Sequence, residues 1–240
     1  MDNKIYNNKI FIYYHVCLIN NWEEVTNKIF QEINKSGLID IIENLFIFIL
    51  GDITKDNCQK IKKITQMNPK YIIKKFSKEI QLYERFTLNN LLDDCKNKYV
   101  NCKILYLHSK GITRPNHSNV EDWVNYLIYF NVKQHRECIN SLNKYDTCSV
   151  NLVDIPAIHY SGNFWWANSE YIKILNPLRI VNNQNFSRVE YFKYYLEPEM
   201  WICSKIKKAI SLHNSNVEHY SQKYKLDSYE NKINYFCIEA

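Results

Sequence analysis

His108-Ser109-Lys110-Gly111 sets an imidazole, a hydroxyl and a fixed cation at the end of an apolar run, with a glycine to allow a turn. That set suits a phosphate group. The ammonium neutralises charge, the hydroxyl donates to a phosphate oxygen, and the imidazole donates a hydrogen bond or holds a metal. The same residues also read as a plain strand-to-loop turn with an exposed lysine. Glu199 follows Pro198 and stands beside Trp201, which reads as a helix start where the dipole favours an ionised carboxylate. A carboxylate there could take a proton from a hydroxyl. With Glu197 it reads equally as simple stabilisation of a helix N-terminus. Arg179 and Arg188, in the polar stretch before it, would clamp phosphate or stand as solvated surface.

Ser161-Gly162-Asn163-Phe164-Trp165-Trp166 holds one of the chain's 4 glycines and two of its 5 tryptophans. Indole is large and carries an N–H that needs a partner, so a flat aromatic face beside small polar groups suits a sugar ring or a base. A core strand in which Gly162 marks a bulge is the alternative. Glu84 and Thr87 lie upstream of the His-Ser-Lys run, and Thr87 reads as a helix cap. Trp123 and Tyr126 read as core. Asp93-Asp94 reads as a solvated helix face rather than a metal pair.

These residues need elements to position them. Residues 10–19, 45–50, 71–76, 103–107 and 145–153 are rich in β-branched and aromatic types and read as strands. Between them, Val25, Ile29, Phe30 and Ile33 fall on one helical face, with Gly37 where a C-cap belongs. Further helices are predicted near 55–65, from Thr87 and over 120–142, with a short one over 170–175 and a last one from about Glu197 to Leu212. Strands alternating with helices predict an α/β domain with a mostly parallel central sheet flanked by helices. Ligands of such sheets bind off the carboxyl ends of the strands, which would bring His108-Ser109-Lys110 near Asn163. Residues 1–212 read as one domain. Residues 213–240, polar and Tyr/Lys-rich, read as an appendage packed on it or loosely ordered, with aromatics that could pack against a second copy to give a homodimer.

Composition excludes several classes. With 4 glycines in 240 residues there is no glycine-rich phosphate cradle, and no Walker, Gly-x-Ser-x-Gly or His-Glu-x-x-His motif occurs. The net charge of +6 is scattered in lysine pairs without interleaved aromatics, which argues against nucleic acid and fits a small anion. The 8 cysteines show no Cys-x-x-Cys pair. Free thiols, polar first residues without a signal peptide and no apolar run long enough to span a bilayer read as a cytoplasmic, reducing setting.

Four segments together carry a resemblance: Tyr83-Glu-Arg-Phe-Thr-Leu88, Leu105-Tyr-Leu-His-Ser-Lys-Gly-Ile112, His159-Tyr-Ser-Gly-Asn-Phe-Trp-Trp-Ala167 and Glu199-Met-Trp-Ile202. Their order and spacing over residues 8–210 resemble glycosyltransferase-like proteins of large DNA viruses and bacteria. These are similar to GT-A type nucleotide-sugar enzymes and, more distantly, to rhamnan-synthesis proteins. The resemblance implies a Rossmann-like GT-A fold and transfer of a sugar from a nucleoside diphosphate sugar, a UDP-sugar first, to a hydroxyl of a glycan or glycosylated protein. It implies Glu199 as base, His108, Ser109, Lys110, Arg179 and Arg188 on the diphosphate, and Glu84 and Thr87 on the nucleoside. Ser161, Gly162, Asn163, Trp165, Trp166 and Trp201 would then serve the sugars. Where that fold normally carries Asp-x-Asp on Mn2+, this chain reads His108-Ser109-Lys110. Either Lys110 replaces the metal, or His108 retains one, or turnover is lost and a carbohydrate-binding or scaffold protein remains.

Overall fold

The computed structural model describes residues 6–181 and 186–239. In chain order the strands are β1 (Tyr6–Asn7), β2 (Ile10–Cys17), β3 (Asn44–Leu50), β4 (Tyr71–Ser77), β5 (Tyr99–Val100), β6 (Lys103–His108), β7 (Thr147–Ser149), β8 (Leu152–Val153), β9 (His159–Tyr160), β10 (Trp165–Asn168), β11 (Lys208–Ser211) and β12 (Phe236–Glu239). The helices are α1 (Trp22–Lys35), α2 (Leu38–Ile41), α3 (Lys55–Gln66), α4 (Arg85–Lys98), α5 (Ser118–Ile128), α6 (His135–Ser141), α7 (Ser169–Lys173) and α8 (Arg188–Trp201).

Eight strands form one sheet in the order β12-β11-β7-β10-β6-β2-β3-β4. The α/β reading holds, and from β6 to β4 every pairing is parallel. Beyond β6 the sheet is mixed. β10 runs antiparallel to both β6 and β7, and β12 is antiparallel to β11. Alternation along the strands fills two cores. Tyr14, Leu105 and Trp166 face the layer built by α1, α3 and α5, while Tyr13, Tyr106 and Trp165 face α4, α7 and α8. A strand buried on both faces tolerates a continuous apolar run, and that is why Leu45–Leu50 alternates with nothing polar.

Three elements depart from the sequence reading. The helix expected over 120–142 is broken by a π-turn at Tyr129–Lys133. Asn131, fully buried there, donates its side-chain amide to Leu127 O at 3.0 Å while its backbone carbonyl accepts Trp166 Nε1 at 2.9 Å. Thr87 lies inside α4 rather than capping it. Glu199 sits in the last turn of α8, not the first: the helix begins at a Ser187/Glu190 capping box, and Pro198 lies in its interior. A proline that reads as a helix start was therefore a mid-helix proline. Gly37, at φ +75°, follows the end of α1 as expected.

Residues 213–239 are integral to the sheet and its cover. β12 pairs along β11, and Tyr224 and Tyr229 lie edge-on to Tyr126 with ring centres 5.4 and 5.0 Å away. These two rings pack within the chain, whereas Tyr235 and Phe236 of the same segment stand exposed. Among the described residues no helix is long and apolar enough to cross a membrane.

Candidate functional site

A cavity of about 270 Å³ opens at the carboxyl ends of β2, β3 and β6, walled by Cys17, Leu50 and His108-Ser109-Lys110-Gly111. Helix α8 contributes Tyr195, Pro198 and Glu199, the turn before α4 contributes Tyr83 and Glu84, α5 contributes Trp123, and the C-terminal segment contributes Tyr220. Arg114 brings a second cation. Pocket size and placement are those of a small-ligand site.

Lys110 is the centre of its electrostatics. Its ammonium lies 3.8 Å above the Trp123 ring, and among the described residues no carboxylate pairs with it. Burial pushes its pKa below the usual lysine value, Glu199 and Glu84 hold it up in part, and Arg114 lowers it further. Trp123 is itself backed by His219, stacked at 5.2 Å and 5°. The lysine is thus held by an aromatic shelf and left free to meet an anion.

Behind the pocket a polar network fixes the floor. Glu84 Oε2 accepts from Tyr106 Oη at 3.0 Å and from Asn163 Nδ2. His108 Nε2 donates to Gly162 O at 3.1 Å. Burial holds His108 neutral, with its pKa pushed down to about 3, and raises Glu84 above the usual carboxylate range. The 3.6 Å contact between His108 Nδ1 and Glu84 Oε1 is therefore not an ion pair at neutral pH. His15, held down to about 4 by burial, pairs its Nδ1 with Thr87 Oγ1 at 2.8 Å. Tyr83 takes φ +48°, a conformation that costs about 1–3 kcal/mol for a bulky residue and that surrounding contacts must enforce.

Five of the sequence candidates, Glu84, His108, Ser109, Lys110 and Glu199, line the cavity. Ser109 Oγ accepts the Cys17 N–H at 3.3 Å and so bridges β6 to β2. The others do not reach it. Trp165 and Trp166 are fully buried on opposite faces of the sheet, with their N–H groups given to Asn163 Oδ1 and Asn131 O, so neither offers a face to a sugar. Trp201 is buried and donates to Asn176 O at 2.7 Å. Gly162 and Asn163 support the floor from behind, Ser161 gives its N–H to Asn151 O away from it, and Thr87 is sealed in the core with its hydroxyl committed to His15. Arg179 stands 76% exposed, 3.8 Å from Glu197, and Arg188 is exposed at the outer end of α8. Asp94, expected on a solvated face, is buried and accepts from Tyr13 Oη at 2.5 Å.

Sequence reasoning missed His15, Tyr83, Arg114, Tyr195 and Tyr220, while Trp123, read as core, both joins the core and walls the cavity. Arg114, in the loop after Lys110, and Tyr195, one helical turn before Glu199, were within reach of spacing arguments. Tyr220 carried no signal. As for a metal, His108 Nδ1 and Glu84 Oε1 are the nearest pair of donors, and no third His, Cys, Asp or Glu joins them among the described residues. Two donors are too few to hold a divalent cation by themselves.

Gly162 tests the floor directly. A Cβ there would meet Leu127 Cδ1 at 2.7 Å, and φ is +101°. Gly162→Ala is expected to destabilise the fold by about 2–4 kcal/mol through overpacking and backbone strain, read as a fall in urea midpoint with an unchanged slope.

Fold and site together define a mixed α/β protein with a cavity at its strand ends that Lys110 and Arg114 line. The chain belongs to the family described as a domain of unknown function, DUF8361, whose model matches residues 13–226. None of the curated proteins matches it. Among solved structures it is similar to a crystal structure of 4-diphosphocytidyl-2C-methyl-D-erythritol synthase, at 10% identity and a TM-score of 0.37, covering 80% of this chain and 97% of the other.

Proposed function

We propose that this pocket binds a nucleoside diphosphate sugar, a UDP-sugar first, and transfers the sugar to a hydroxyl of a glycan or glycosylated protein. The observation that carries the reading is the buried Lys110 ammonium, resting on Trp123 and sharing one cavity with Glu199. Lys110 and Arg114 supply fixed positive charge where a diphosphate would carry its negative charge, without a protein-held metal. Glu199 takes the proton of the acceptor hydroxyl as that oxygen bonds to the anomeric carbon. The bond from that carbon to the diphosphate breaks, and the leaving oxygen keeps the electron pair beside the cations. Tyr83, Tyr195 and Tyr220 line the pocket with rings suited to a base or a sugar. Glu84, hydrogen-bonded through Oε2 and raised in pKa, serves the floor rather than the chemistry.

Glu199→Gln removes the base and keeps the shape. Transfer is expected to fall by about 10²–10⁴-fold, while the UDP-induced thermal shift stays as in the parent. Ligand at about 100 times its dissociation constant adds about 2.7 kcal/mol, a shift easily seen. A Glu199→Gln protein that transfers normally would overturn the role of the base. One specific feature favours the rival reading of carbohydrate binding without turnover: β6 ends in His-Ser-Lys, where no carboxylate pair stands. Under that reading the parent protein binds glycans and shows no sugar release from any nucleotide donor.

A further inference from the structure

The sugar platform expected at Trp165 and Trp166 is closed, and a different aromatic surface leads into the pocket. On α8, Tyr191, Tyr195 and Glu199 follow at four-residue steps, so they share one stripe of the helix, each step rising about 6 Å. Glu199 and Tyr195 line the cavity, and Tyr191 continues the stripe outward, 43% exposed. The stripe is braced from the side. Tyr83 shares a hydrogen bond with Tyr191, Oη to Oη at 2.7 Å, and stands edge-on to Tyr195 at 5.4 Å and 89°. It does so in the left-handed backbone conformation described above, which only its surroundings can enforce.

We infer that Tyr83, Tyr191 and Tyr195 form the acceptor track: a binding surface for a linear glycan whose end reaches Glu199. This rests on the reading of Glu199 as the base. Three features select that ligand. The rings are rigid and partly exposed, each with a phenolic hydroxyl, which pairs an apolar face with hydrogen bonding as a sugar ring requires. The four-residue step is close to the length of one sugar unit in an extended chain, so successive tyrosines meet successive units. The stripe is continuous with the cavity and ends on the carboxylate that would receive the hydroxyl proton.

The test measures binding of gluco-, manno- and chito-oligosaccharides of two to six units by calorimetry to the full chain, with UDP binding followed in parallel. Affinity for at least one series is expected to rise with length. Tyr191→Ala should weaken the longer members by about tenfold, the loss of one stacking contact, while Tyr191→Phe, which keeps the ring, stays close to the parent. UDP binding should be unchanged in both variants. Absence of binding to every series, or equal affinity in Tyr191→Ala, overturns the track while leaving the nucleotide reading intact if UDP still binds. Tyrosine-dependent glycan binding in a protein that ignores UDP keeps the track and removes the transferase.

Discussion

Lys110→Met is expected to raise the melting temperature of the free protein and to weaken UDP binding by about 100-fold. The two effects have one cause. Lys110 is 8% exposed and its ammonium rests on Trp123 with no carboxylate partner. Its folded pKa lies below the unfolded value, so the fold disfavours the charged form. Such a group lowers stability at neutral pH and stops doing so only as pH rises into the alkaline range where the unfolded lysine also loses its proton. Methionine keeps the stem and removes the charge. The penalty disappears, and the gain in melting temperature should shrink as pH is raised. The diphosphate then loses a charge-assisted contact of about 2–3 kcal/mol, which is the 100-fold loss. Thermal melts with and without UDP, from neutral to alkaline pH, check both halves. A variant that melts lower and binds UDP as before would show that the lysine is structural.

Arg85→Met should destabilise the protein by about 3 kcal/mol, and adding Pro198→Ala should restore part of that. Arg85 is fully buried and knits three pieces of chain together. Its Nε donates to Arg179 O at 3.1 Å, its Nη2 donates to Tyr194 O and to Glu197 Oε2 (2.9 Å), and its guanidinium lies 3.5 Å above the Tyr194 ring. Tyr194 O needs that donor for a specific reason. In an α-helix it would accept from residue 198, and residue 198 is proline, which has no N–H. Removing the guanidinium leaves the buried Tyr194 O without a partner at about 1–3 kcal/mol and takes away the contact with the Tyr194 ring, while Glu197, 31% exposed, and Arg179 O, in an exposed stretch, are repaid by water. Alanine at 198 gives Tyr194 O its helical partner back, so the two substitutions should be strongly non-additive. Denaturant melts of the four proteins make the cycle. Additive losses would mean that the arginine acts elsewhere. Because Glu199 follows Pro198 directly, Arg85→Met should also slow transfer more than it weakens UDP binding.

Much of the scaffold was legible because burial leaves composition marks. The apolar runs of β2, β3 and β6 announced a buried parallel sheet, and His108-Ser109-Lys110 announced a site at its edge. Glu199 lines the cavity, but from the last turn of its helix rather than the first. Pro198 suggested a helix start, whereas the real start was written in Ser187-x-x-Glu190, a capping box present in the sequence. The tryptophan pair misled because two adjacent residues on a central strand point into two separate cores. Single-sequence patterning cannot tell a ring that is sealed from one that is offered, and the surfaces that decide it arrive from α5, α7 and α8. Tyr220 and His219 were invisible for the same reason: their partners, Arg114, Trp123 and Asn151, lie far away in the chain.

The order of the sheet also sets an order in time. Strands β2, β3, β4 and β6 pair with one another through connections contained within residues 10–108, so that half can close while the chain is still being made. Strand β10 then pairs β6 with a segment from the second half, and β11 joins β7 later still, pairings that must wait for long stretches of chain. Lys110 immediately follows the part that closes first, whereas Glu199 and Tyr220 come much later in the chain. The half that carries Lys110 can therefore close before Glu199 and Tyr220, which complete the cavity wall, have been made.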